Sequence, residues 1–165
     1  MQIKIKKLHP KAIVPIYATA GAACFDLYAL ENGEVAACTS ATIRTGLAFS
    51  VPAGHVMLIY SRSGHGFKHG IRLVNSVGVI DSDYRGEVSV GLKNDSLVRF
   101  DINAGDRIAQ AMIVPVPVIE LEEVEELDET QRVPVVLEVP ANNENYSNRK
   151  KTCELRKHSL SLLFS

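Results

Sequence analysis

The chain has 165 residues, is 46% hydrophobic and carries a formal charge of −1, with a pI near 6.5. That length and apolar share suit one domain with a proper core, and the charge balance removes any general electrostatic case for nucleic acid or an anionic membrane. No apolar run approaches a membrane span or a secretory leader, so the chain reads as soluble and cytoplasmic.

From the amino terminus, IKIK at Ile3 opens a series of short valine- and isoleucine-rich runs separated by turn residues. AGAACFDLYA follows, with Asp26 between Phe25 and Leu27, and a carboxylate buried there needs a partner or a cation. The turn ENG at Glu31 precedes LAFSV, and PAG at Pro52 precedes HVMLIY. Next comes SRSGHGFKHGI, where glycines let backbone amides converge on an anion. Arg62 and Ser63 there add charge-assisted bonds to phosphate oxygens. It lacks the Gly-Lys-Ser/Thr ending of a P-loop. His65 and His69 have the spacing of helix ligands but sit in a predicted loop, so no metal is assigned to them.

IRLVNSV and VGVI then lead to Asp81, and EVSVGLK returns, which predicts two strands joined by a turn. A carboxylate at a strand end can hold an attacking water and accept its proton, while Asp83, Tyr84 and Arg85 can equally be exposed turn residues. Alternation in EVSVGLK places Val88, Val90 and Leu92 on one face, opposite Glu87, Ser89 and Lys93. KND at Lys93 and NAGD at Asn103 are read as turns, and RIAQAMIVPVPVIEL as a last strand interrupted by Gln110. An ion pair would satisfy Asp26 or Arg107. With no long helix-period segment before the tail, an all-β barrel or sandwich is predicted. Cys24, Cys38 and Cys153 are odd in number and lack metal-ligand spacing, so they read as free thiols.

Taken in order, AGAACFDLYA, SRSGHGFKHGI, NSVGVIDSDYRGEV and GDRIAQAMIVPV resemble the first four signature motifs of the trimeric dUTPase family over residues 1–132. The resemblance implies a jelly-roll-like β fold, a homotrimer with active sites shared between subunits, and Mg²⁺-assisted hydrolysis of dUTP to dUMP and pyrophosphate. By position it implies that Asp81 orients and deprotonates the attacking water. Arg62, Ser63 and Gly64 would bind phosphate oxygens, with Gln110 supporting the phosphate and water network from a neighbouring subunit. Asn75 and the backbone of Val79 and Ile80 would read uracil, Tyr84 would pack under deoxyribose, and Ser89 would make a further nucleotide contact. Mg²⁺ would ride on the phosphates and waters, with Asp26 in its outer shell and no direct protein ligand. In the second motif Ser61 replaces a usual proline, and His65-Gly66 replace a usual small apolar pair. The alternatives are a dCTP deaminase-type relative or a nucleotide-binding or regulatory trimer with weak catalysis.

All eleven glycines lie between Gly21 and Gly105, and beyond Leu121 the texture turns acidic, then valine-rich, then polar and basic. A boundary falls at Arg132, giving a core of 1–132 and an atypical tail of 133–165 that is expected to be poorly ordered. The family's fifth motif, an arginine followed by a glycine-rich arm that closes over a neighbouring site, starts correctly at Arg132 and then fails. Writing Val133 to Ala141 as degenerate codons, adding one G in front and regrouping permits Gly-Thr-Gly-Gly-Phe-Gly-Ser-Thr-Gly, the expected arm. The tail is therefore read as a one-nucleotide frame change after Arg132, and turnover of this chain is expected to be impaired.

Overall fold

Alternation produces the central strands as predicted. Val88, Val90 and Leu92 are 1%, 2% and 1% exposed, whereas Ser89 faces solvent. Burying each such side chain contributes roughly 1.5–3 kcal/mol. The protein's structure is a computed structural model that describes residues 1–128 and 130; the tail of 133–165, its junction at Arg132 and Cys153 lie outside the described residues.

The strands are β1 (Lys4–Lys7), β2 (Phe25–Tyr28), β3 (Gly33–Val35), β4 (Ser40–Arg44), β5 (Leu47–Ser50) and β6 (His55–Tyr60). After a short helix α1 (Ser63–His69) come β7 (Ile71–Leu73), β8 (Val77–Ile80), β9 (Ser89–Asn94), β10 (Phe100–Ile102) and β11 (Arg107–Pro115). Their pairings are antiparallel. They form a four-stranded sheet β2-β11-β6-β8, a three-stranded sheet β4-β9-β7 and two strand pairs, β1-β5 and β10-β3. The result is the predicted all-β, jelly-roll-like architecture. Leu27, Leu47, Met57, Val88 and Ile108 meet in one core between the sheets. Met1–Val118 is one compact unit; beyond it, residues 119–128 and 130 contain no helix or strand.

Several local expectations are corrected. SRSGHGFKHGI is not an open loop: Ser63–His69 is helical and stops at Gly70, whose φ of 66° supplies the left-handed cap. Strands β8 and β9 are not a paired hairpin, because β8 pairs with β6 and β9 with β4 and β7. KND is not the turn itself. Asn94 is fully buried, its amide donates to the Val35 and Val98 carbonyls at 2.9 and 2.8 Å, and its oxygen accepts from Ser96, so it ends a strand as a satisfied core residue. The last strand stops at Pro115 rather than at Leu121, since Pro115 and Pro117 cannot donate to a ladder. Cys24 is a free thiol, but Cys38 is disulfide-bonded; spacing along a chain does not reveal which loops meet.

Glu87, on the polar face of EVSVGLK, fixes the corner between β4 and β5. Its carboxylate accepts from Arg44 Nε at 3.1 and 3.2 Å and from the Gly46 amide at 2.8 Å. Gly46 has φ +68°, and a Cβ there would lie 2.9 Å from that of Ala12, so glycine is required. Partial burial pushes the Glu87 carboxyl up, but the Arg44 and Gly46 hydrogen bonds outweigh it and hold the group below its ordinary value of 4.5. Its stabilisation is therefore complete above that value and is lost as pH falls through the lower folded value. Glu87→Gln should destabilise the fold at pH 7 by about 1 kcal/mol, with the difference from wild type shrinking at pH 3, as read by urea denaturation at both pH values.

Candidate active site

The lone carboxylate of the first stretch and the two arginines of the second and fourth converge on one point. Arg62 Nε lies 3.2 Å from Asp26 Oδ1, and Arg107 Nη1 lies 3.2 Å from Asp26 Oδ2. The Asp26 side chain is only 12% exposed, so burial demands such a partner, and here it has two. Strand pairing explains the meeting: Gln110 of β11 stands opposite Asp26 of β2 and opposite Tyr60 of β6, the residue that leads into Ser61-Arg62.

These residues line a cavity of about 470 Å³ whose polar walls are Asp26, Arg62, Ser63, Gly64, Arg107 and Gln110. The Gln110 amide donates to the Ser61 carbonyl at 3.1 Å, which joins the fourth stretch to the second. Arg62 spends Nε on Asp26 and Nη1 on the Arg107 carbonyl at 3.1 Å. Its Nη2 takes no partner among the described residues and remains for an anion. The amides of His65 and Gly66 both donate to the Arg62 carbonyl, so the convergence of amides anticipated for the whole glycine-rich stretch is limited to its first residues. No atom lies within 4 Å of a Cβ built on Gly64, so that backbone borders open space. Cys24 also lines the cavity, and burial, with the Asp26 charge second, pushes its thiol up; it is protonated at neutral pH and no nucleophile.

The other predicted residues gather elsewhere on the chain. Asn75, Val79, Ile80, Asp81, Tyr84 and Ser89 are absent from the walls of this cavity. Their separation follows from register: in the β6-β8 ladder Met57 faces Ile80 and Tyr60 faces Val77. Asp81 thus leaves β8 beside the start of β6, whereas Arg62 follows the end of β6. At about 3.3 Å per residue, the strand from Met57 to Arg62 separates the two by roughly 17 Å. Gln110, by contrast, lines the same cavity as Arg62, Ser63 and Gly64 within one protomer.

The Asp81 turn is closed by hydrogen bonds and is exposed. The Tyr84 amide donates to the Asp81 carbonyl at 3.2 Å, closing a turn, and Arg85 Nη1 ties that turn by donating to the Ser82 and Tyr84 carbonyls at 2.6 and 2.9 Å. The Tyr84 hydroxyl donates to the Glu87 carbonyl at 3.0 Å, and its ring covers Gly86, where a Cβ would fall 2.5 Å from the Tyr84 oxygen. Asn75 accepts from the Val77 amide across Ser76, which has φ 61°. Such a three-residue reversal is costly for a non-glycine residue. Val79 and Tyr84 are 59% and 43% exposed, and β8 is the outer strand of its sheet, so its outward amides and carbonyls are unpaired by any strand among the described residues.

Fold and site together define a class: an antiparallel β protein with an arginine-lined cavity on one part of its surface and a strand-end carboxylate on another. The dUTPase family model matches residues 10–136. The deoxyuridine 5'-triphosphate nucleotidohydrolase of Wolinella succinogenes is 48% identical over 132 residues, covering 80% of this chain and 89% of that protein. Among solved structures, the Staphylococcus bacteriophage 80alpha dUTPase with dUPNHPP is similar at a TM-score of 0.73 and 28% identity, covering 78% of this chain and 90% of that one. A variant dUTPase of S. aureus phage phi11, which coordinates a structural Mg(II) ion, is similar at a TM-score of 0.72 and 27% identity, covering 76% and 98%. The chain belongs to the dUTPase family.

Three features of the site escape sequence reasoning: the Ser76 reversal, the packing of Tyr84 on Gly86, and a contact of His65 with the Arg107 carbonyl at 2.6 Å. The YRG triplet carried a signal for the second, since a glycine two residues after an aromatic can accept its ring. Nothing in the sequence pointed to the other two.

Proposed function

We propose that this protein is a dUTP diphosphatase that works as a homotrimer, each active site using the Arg62 cavity of one protomer and the Asp81 strand end of another. The carrying observation is the cavity itself, where a buried carboxylate holds two arginines beside Ser63, Gly64 and Gln110. The separation of Asp81 from Arg62 supports a shared site, because one protomer cannot bring both to one phosphorus. Exposed Val79 and Tyr84 fit burial by a nucleotide and a neighbour.

In this reading Arg62, Ser63 and Gly64 take the phosphate oxygens, and Gln110 orients the phosphates and water from the same protomer as Arg62. Asp81 aligns a water and accepts its proton as the water oxygen bonds to the α-phosphorus. The bridging oxygen to the β-phosphorus leaves with the bonding pair, giving dUMP and pyrophosphate. Asn75 and the outward backbone of Val79 and Ile80 read the uracil edge with directional bonds, which discriminate far better than pocket shape alone. Tyr84, fixed over Gly86, offers a flat face to deoxyribose, and Ser89 makes a further contact.

Mg²⁺ fits the donor set as a cation carried by the phosphates. Asp26 is already shared by two guanidiniums, so it would serve such an ion from the outer shell, through water. When bound, the ion neutralises phosphate charge. Because the family's fifth motif fails after Arg132, closure over the triphosphate is impaired and turnover is low. The reaction is tested by incubating the purified chain with dUTP and Mg²⁺. Pyrophosphate release with dUMP supports the reading, ammonia release from dCTP would favour the deaminase-type alternative, and analogue binding without turnover the nucleotide-binding trimer. The proposal places this chemistry in the cytoplasm, with no part for nucleic acid or membrane.

A further inference from the structure

His65 stands where the family resemblance leads one to expect a small apolar residue, so its chemistry belongs to this chain. It lies in the first turn of α1, half-buried. Its Nε2 is 2.6 Å from the Arg107 carbonyl oxygen. A carbonyl only accepts, so Nε2 carries the hydrogen. Arg62 Nη1 donates to the same oxygen at 3.1 Å and sits 3.1 Å from His65 Nε2. Two N–H groups cannot bond each other; they share the two lone pairs of one carbonyl. That carbonyl belongs to a residue beside the register shift between β2 and β11, the kind of irregularity that turns backbone groups out of a ladder. The far side of the imidazole is braced edge-on by Phe100, with ring centroids 5.3 Å apart.

We infer that His65 is a positioning residue for Arg62, holding the guanidinium toward the phosphate cavity through the shared Arg107 carbonyl. The inference rests on the proposed nucleotide site. The charged and titratable groups around the ring are Arg62 at the start of α1, His69 one turn on and Arg107 on β11, with Asp26 of β2 behind the two arginines; Phe100 of β10 is uncharged.

The test is calorimetric titration of the full chain with the imido analogue dUpNHpp at pH 8, for wild type, His65→Gln and His65→Leu, with the leucine change also made in an Arg62→Ala chain. Glutamine keeps a donor to the Arg107 carbonyl; leucine removes it. His65→Gln should bind like wild type, and His65→Leu about threefold to tenfold more weakly, the scale of one hydrogen bond. With Arg62 replaced by alanine, the leucine penalty should vanish. Binding by His65→Gln several-fold weaker than wild type, or a leucine penalty of equal size with and without Arg62, would overturn the inference. Failure of wild type to bind the analogue at all would overturn the nucleotide-site reading and this inference with it.

Discussion

Asp81→Asn should reduce dUTP turnover by about 10²–10⁴-fold, the range over which a positioned general base contributes, while leaving affinity for dUpNHpp within a few-fold. The substitution keeps shape and removes only the capacity to accept a proton. Its structural cost is small because the turn uses the backbone: the Tyr84 amide bonds to the Asp81 carbonyl, and Arg85 bonds to the Ser82 and Tyr84 carbonyls. Asp81 is exposed on the protomer, so no buried partner is orphaned. Pyrophosphate release under saturating dUTP, set beside analogue binding, separates the two effects. A variant with wild-type turnover would remove Asp81 from the chemistry.

The second large effect concerns the tail. Replacing residues 133–165 with the arm obtained when one base is added after the Arg132 codon should raise turnover by roughly 10²-fold, the size of effect that proper positioning over a reacting phosphate can supply. The family match ends at residue 136, close to that junction. The arm would exclude water and add glycine backbone against the phosphates, neither of which Val133 onward can do with the same chemistry. The gain should fall on turnover more than on the uracil contacts proposed for β8. Equal pyrophosphate release by the two tail versions would contradict this, as would a gene in which the added base does not restore the glycines.

Legibility of the sequence varied with the kind of physics involved. Period-two alternation marked Val88, Val90 and Leu92 as a buried face because a strand has only two sides. A lone Asp26 among apolar residues announced a missing cation, and two arginines supplied it. What alternation could not show was pairing partners: Asp81 and Ser89 lie close in sequence yet lead from strands in different sheets, since ladders are chosen by tertiary packing. Helix α1 was missed because glycines at 64 and 66 disfavour a helix; it is short and is closed by Gly70. The His65 contact depends on the Arg107 carbonyl leaving its ladder, a backbone event with no residue signature. A site shared between subunits was implied by the family resemblance alone; register adds that Arg62 and Asp81 lie at opposite ends of β6 within one protomer.

That division is the central structural claim, and mixing two inactive chains tests it most directly. Arg62→Ala and Asp81→Asn chains, each inactive alone, are unfolded together and refolded. If each site takes its cavity from one protomer and its base from another, random co-assembly should restore roughly a quarter of the wild-type pyrophosphate-release rate. Mixed trimers with no recovered activity would contradict the account.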